Sequence, residues 1–263
     1  MTKPIGIFDS GVGGLTVAKE IMQAIPNCPI VYFGDVARMP FGARSDDDLE
    51  RISSEIIHFL LNNDAQAIVV ACGTISSKIF DRVKALVPAH VPVFGMIAPG
   101  VRGVLSASKT GRIGVIATEG SINAKGFENA ILQADPTVSV TAIACPSFAN
   151  IVEEEGANTP RADQAAKNYL APMHQAGIDT LLLGCTHYPL LTSSITKALP
   201  DGVALVDPAK NLAQDIKQKL ILPVHDEIAT HSFFISSEID KFKKIAQLIV
   251  SNNAKYTLKQ VKL

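Results

Sequence analysis

Ala67-Ile68-Val69-Val70-Ala71-Cys72-Gly73-Thr74 and, 113 residues further on, Thr180-Leu181-Leu182-Leu183-Gly184-Cys185-Thr186-His187 are two copies of one pattern. In each, a short unbroken apolar run ends in a cysteine followed by small and polar residues. Such a run, bounded by turn formers, reads as a strand buried on both faces, as in a parallel sheet. Working outward, Ile5-Gly6-Ile7-Phe8 is echoed 108 residues later by Ile113-Gly114-Val115-Ile116. Both run into polar loops, Asp9-Ser10-Gly11 in one and Thr118-Glu119-Gly120-Ser121 in the other. Self-similarity at a nearly constant offset marks a repeated unit. The chain is expected to consist of two related halves, each carrying a cysteine just past the C-terminal end of a buried strand.

Further strands are expected at residues 30–33, 93–96, 138–143 and 204–206, beside those at 5–8, 67–71, 113–117 and 180–183. Helices are expected between most of them, for example at 15–24 and at 46–62, where Leu49, Ile52, Ile56 and Leu60 recur at helical spacing. This alternation predicts an α/β fold: two similar, mostly parallel-sheet domains related by a pseudo-twofold axis. Ligands of open parallel sheets sit outside the carboxyl ends of the strands, so the active site is expected in the cleft between the domains.

With 263 residues, 47% of them hydrophobic, the chain has enough material for one large core or two modest ones. A net charge of −1 spread along the sequence gives no basic face for nucleic acid and no patch for anionic lipid; a small neutral or anionic ligand suits it better. No apolar run approaches the length of a membrane span, and the N-terminus lacks the h-region of a signal peptide. Four cysteines without short paired spacing point to reduced thiols and a cytoplasmic protein. No metal or cofactor is expected. Gly11-Val12-Gly13-Gly14 misses the dinucleotide register, no Gly-Lys-Ser/Thr phosphate loop occurs, and neither zinc spacing nor His-Glu-x-x-His is present.

A thiol, with an ordinary pKa of about 8.5, serves as base or acid near neutrality with modest help. Two thiols on opposite faces of one carbon form a reversible proton exchanger that inverts configuration. Cys72 and Cys185 are the candidates. Asp9 is placed to orient or deprotonate Cys72, and His187 to do the same for Cys185. Helix starts behind both cysteines would favour thiolate and hold a substrate carboxylate. Cys28 and Cys145 read as apolar filler. His58, His90, His174, His225 and His231 read as surface or core residues. The run Glu153-Glu154-Glu155 reads as a solvated helix end, unless one member reaches back to orient His187.

Phe8-Asp9-Ser10-Gly11-Val12-Gly13-Gly14-Leu15-Thr16, Tyr32-Phe33-Gly34-Asp35, Pro40-Phe41-Gly42, Ala71-Cys72-Gly73-Thr74 and Gly184-Cys185-Thr186-His187-Tyr188-Pro189 carry a family resemblance. Over almost its whole length the chain resembles the glutamate racemases of the aspartate/glutamate racemase superfamily. The resemblance implies two domains, residues 1–97 with 207–263 and residues 98–206, no pyridoxal phosphate or metal, a homodimer, and D-glutamate made for peptidoglycan. It implies Cys72 and Cys185 as the acid/base pair assisted by Asp9 and His187, with Ser10, Phe41, Gly42, Gly73, Thr74, Thr118, Ser121 and Thr186 around the substrate. With so few residues before Ile5, the chain is expected to lack the extension that carries activator control in some relatives.

Three positions depart from the family pattern: Gly73 in place of Asn, Phe41 in place of Tyr, and Ser121 in place of Thr. A hydrogen-bond partner lost from a charged ligand group costs roughly 1.5–3 kcal/mol. Three outcomes stay open at this level. Backbone groups and water hold glutamate instead, or another amino acid uses the space that Gly73 opens, or the protein binds a ligand without turnover.

Overall fold

The computed structural model describes residues 2–220, 228–250 and 254–263. Two parallel sheets are present. The first is built from β1 (Ile5–Asp9), β2 (Ile30–Gly34), β3 (Ala67–Val70), β4 (Val93–Phe94), β9 (Thr230–Ile235) and β10 (Lys255–Gln260). The second is built from β5 (Arg112–Ala117), β6 (Ser139–Ala144), β7 (Thr180–Leu183) and β8 (Ala204–Val206). Their orders are β10-β9-β2-β1-β3-β4 and β6-β5-β7-β8.

The strands β2-β1-β3-β4 and β6-β5-β7-β8 therefore follow the same order. The register matches as well: Ile5 lies opposite Ala67 and Phe8 opposite Val70, as Ile113 lies opposite Thr180 and Ile116 opposite Leu183. The repeat legible in the sequence is a repeat of sheet topology. In each sheet the chain's path reverses at the central strand, β1 or β5, which opens a crevice at the carboxyl ends of the strands. Asp9 and Cys72 lie at one crevice, and Thr118 and Cys185 at the other.

Helices cover the sheets for local reasons. In helix Asp46–Asn62, Ser45 caps the start by accepting from Asp48 N at 3.2 Å, and three aspartates fill the first turn, where the helix dipole favours them. Leu49, Ile52, Ile56 and Leu60 from this helix are fully buried. The apolar interior crosses the join between the sheets: one cluster contains Ile7 and Val69 from the first and Val115 and Leu182 from the second. After β8 the chain passes through helix Pro208–Lys219 and returns to add β9 and β10 beside β2.

The structure departs from the expected strands in three places. The strand at 93–96 ends at Phe94, because Ile97 opens a helix. The strand at 138–143 is Ser139–Ala144. β9 and β10 have no counterpart among the expected strands. β10 is the edge strand and mostly exposed, while β9, between β10 and β2, alternates in burial, so neither shows an unbroken apolar run.

Leu182→Ala removes a fully buried side chain from the cluster shared by both sheets. The expected loss is about 2–5 kcal/mol in the free energy of unfolding, measured by denaturant titration.

Candidate active site

Each cysteine sits where its strand's ladder ends. Ala71 N donates to Phe8 O at 3.0 Å and Gly184 N to Ile116 O at 2.7 Å, after which both chains leave their sheets at the next residue. Cys72 caps the short helix Gly73–Lys78. The amides of Ile75 and Thr74 face its sulfur and lower its pKa, but burial dominates and, with the nearby Asp9 charge, pushes the thiol up to about 12. No helix starts directly behind Cys185, contrary to the sequence expectation. Tyr188 N closes a turn onto Cys185 O at 3.0 Å, a 3-10 turn follows at Tyr188–Leu191, and the next α-helix begins at Thr192. Thr186 instead turns to Asp9 in the other half of the chain, and His187 to Glu153 in its own half.

His187 is the hub. Its Nδ1 lies 3.7 Å from Cys185 Sγ and its Nε2 2.9 Å from Glu153 Oε1. Burial opposes the imidazolium, yet the hydrogen bonds and charges of Cys185 and Glu153 prevail and hold the His187 pKa well above its usual value. Both ring nitrogens then donate. Glu153 is itself buried, which disfavours its charge, but His187, Lys241 and the Val12 amide outweigh burial and lower its pKa. Of the three consecutive glutamates, Glu153 turns inward, while Glu154 and Glu155 are exposed.

Asp9, with no exposed surface, accepts from Gly14 N at 2.8 Å and from Thr186 Oγ1 at 3.3 Å. Burial raises its pKa, against His187 and the amides of Gly14, Ser10 and Gly11. Its charge raises the Cys72 pKa, so Asp9 disfavours a Cys72 thiolate in this arrangement. Deprotonation of Cys72 by Asp9 is therefore not what the electrostatics supports.

On the other side of the cysteines, Thr74 Oγ1 and Thr118 Oγ1 are 3.0 Å apart, and Thr118 Oγ1 is 3.0 Å from Ser121 Oγ. The Gly42 backbone packs against Thr118 and Gly120. Ser10 is buried in the loop behind Asp9. Phe41 belongs to the apolar cluster that also holds Phe8, Leu49 and Cys72, so it supports the cleft from beneath. The space that Gly73 was expected to open does not exist: a Cβ there would overlap the Gly184 carbonyl oxygen. The cavity beside Gly73 and Cys185 holds about 10 Å³, on the order of one water molecule. The halves are closed on each other.

The residues 14–216 match the model of the Asp/Glu/Hydantoin racemase family. The chain belongs to that family. This racemase-family chain is 42% identical over 238 residues to a glutamate racemase of Geobacter metallireducens, covering 89% of this chain and 87% of that protein. It is 38% identical over 250 residues to one of Shouchella clausii, covering 94% and 90%. Among solved structures, a glutamate racemase isoform from Bacillus anthracis superposes with a TM-score of 0.91 at 36% identity over 99% of this chain and 98% of that one. A Francisella tularensis glutamate racemase in complex with D-glutamate gives 0.89 at 32% identity, again over 99% and 98%.

Two groups in this racemase-family site carry no individual signal in the sequence. Thr16 Oγ1 donates to both Gly13 O (2.8 Å) and Thr186 O (3.1 Å), tying the loop after β1 to the Cys185 loop. Lys241, from the C-terminal helix Ile239–Ile249, stands 3.8 Å from Glu153 Oε2. Residue spacing does not reveal either contact, because each joins segments far apart in the chain.

Glu153→Gln removes the charge that holds the His187 proton. The His187 pKa is expected to fall in this variant, as read by NMR titration of the ring nitrogens. The linked stability follows the same sign: in the parent, the raised pKa contributes fully below the unfolded value of about 6.5 and is lost as pH rises through the folded value. Glu153→Gln should flatten that alkaline loss.

Proposed function

We propose that this protein racemises glutamate without a cofactor, moving the α-proton between Cys72 and Cys185, and so supplies D-glutamate for peptidoglycan. One observation carries the reading. The two cysteines occupy equivalent positions in two copies of one sheet topology, and their loops meet across a single seam. Two acid/base groups offered from opposite sides are what inversion at a tetrahedral carbon requires.

The surroundings of the two thiols suit them to different roles. Cys72, pushed up to about 12, starts as the acid. Cys185 is assigned the base for its place, its sulfur lying 3.7 Å from Nδ1 of the His187 ring, whose pKa is held well above its usual value. The Cys185 thiolate takes the α-proton, and the electron pair stays on the carbon. The Cys72 thiol then gives its proton to the opposite face, leaving a thiolate that faces the amides of Thr74 and Ile75. For the other enantiomer the same two steps run in reverse. Glu153 is a positioning residue that keeps His187 protonated and in place.

Hydroxyls of Ser10, Thr74, Thr118, Ser121 and Thr186, with backbone at Gly42, are the groups that would hold the substrate, and Gly73 contributes backbone only. The similarity to relatives named glutamate racemases, one of them solved with D-glutamate, supports glutamate as the substrate. In the same reading, residues 1–97 with 207–263 and residues 98–206 are the two domains of a cytoplasmic homodimer. The halves part to admit substrate, since the Cys72 and Cys185 loops already meet backbone to backbone at Gly73 and Gly184.

Purified protein incubated with L-glutamate and no added cofactor should abolish its circular dichroism. In a panel of amino acids glutamate should be fastest; faster turnover of another amino acid would contradict the substrate, and turnover of none would contradict the activity. Cys72→Ser and Cys185→Ser should each lower racemisation by about 10²-fold or more. Each is expected to retain α-proton wash-out from one enantiomer, a different one in each variant, as measured by NMR in D2O.

A further inference from the structure

The seam between the halves is closed by backbone at glycines that have no room for a side chain. A Cβ on Gly120 would stand 2.5 Å from Gly42 O and 3.1 Å from Gly42 Cα; on Gly126 it would stand 2.8 Å from Ser77 Cα and 3.0 Å from Ser77 O. Each pair joins residues near the Cys72 loop to residues following β5. The obstructing atoms include backbone, so rotating a side chain cannot relieve the contact; the halves would have to move apart. Local conformation does not ask for glycine at either position. The positive-φ glycines are Gly111, Gly177 and Gly202, whereas Gly120 lies in helix Glu119–Ala124 and Gly126 opens helix Gly126–Ala134. Alanine is the better helix former at both sites. What excludes it is the neighbour across the seam.

We propose that Gly120 and Gly126 are positioning residues that set how far the cleft closes, and through it the separation of the two thiols. The lever is short. Ser77, which Gly126 touches, belongs to helix Gly73–Lys78, and Cys72 is the cap of that helix. Restoring ordinary van der Waals distance at either site displaces one half by roughly 0.5–1 Å. Misplacement on the order of 1 Å lowers an acid/base step by about 10²-fold. The catalytic consequence rests on the two-thiol reading, but the closure itself is measurable without turnover.

The test is made on Gly120→Ala and Gly126→Ala in the full chain, and either variant alone suffices. Iodoacetamide alkylation of the four cysteines, followed by peptide mass spectrometry, reports closure; kcat and KM for glutamate report its catalytic effect. Alkylation of Cys72 and Cys185 is expected to rise about tenfold, with Cys28 and Cys145 unchanged. In parallel, kcat should fall about tenfold or more, and by a larger factor than KM changes. Gly202→Ala supplies the control: at φ +85° with no neighbour within 4 Å, it strains the backbone away from the seam. It should lower Tm without moving either readout. Unchanged alkylation of Cys72 and Cys185, a rise common to all four cysteines, or selective exposure with parental kcat would each overturn the proposal. If the parent protein turns over no amino acid, the two-thiol reading fails, while the alkylation pattern still decides whether these glycines limit closure.

Discussion

Backbone meets backbone where the Cys72 loop touches the Cys185 loop, with Gly73 lying against the Gly184 carbonyl. The rest of the molecule serves to make that approach possible. Two sheets with the same strand order aim the carboxyl ends of β3 and β7 at a common seam, and a shared apolar cluster holds the sheets in that relation. Loops at such ends are free of ladder hydrogen bonds, so their amides and side chains are available to partners in the other half. The seam uses this freedom on both flanks: Thr16 and Asp9 engage Thr186, and Val12 engages Glu153, on one side, and Thr74 meets Thr118 on the other.

Closure also sets the electrostatics. Taking Asp9, Glu153 and His187 out of water would be costly if each were alone. Contacts across the seam keep them: Thr186 on Asp9, and Val12 N and Lys241 on Glu153, which in turn holds His187 within its own half. The same closure leaves the cysteines in unequal surroundings. Cys72 has an anion and an apolar wall, whereas Cys185 has an imidazole ring with a carboxylate behind it. The near-symmetry of the scaffold thus presents two cysteines in equivalent places but in different surroundings.

Much of this was legible in the sequence, for identifiable reasons. Buried parallel strands leave unbroken apolar runs, so β1, β3, β5 and β7 and the equivalence of Cys72 with Cys185 could be read directly. The spacing of apolar residues in helix Asp46–Asn62 was equally plain. β10 escaped because an edge strand stays largely exposed, and β9 because its burial alternates and it opens on Thr230-His231-Ser232 rather than on an apolar run. Glu153 was visible only as one of three adjacent glutamates; which one turned inward depends on the end of helix Pro146–Glu153 and its distance to His187. Gly73 misled for the complementary reason. A glycine in isolation reads as vacant space, and nothing within the local sequence discloses that Gly184, more than a hundred residues away, fills it. Thr186 and His187 likewise draw the chain behind Cys185 into a turn where a helix start was expected.

The central claim is that two different sulfur atoms handle the proton on the two faces of the α-carbon. It is tested most directly by the isotope at that carbon early in the conversion of protiated L-glutamate in D2O. The account requires newly formed D-glutamate to carry deuterium while unconverted L-glutamate keeps protium, because the group that removes the proton is not the group that replaces it. Protium retained in the D-glutamate would mean that a single base returns the proton it took, and would contradict the account.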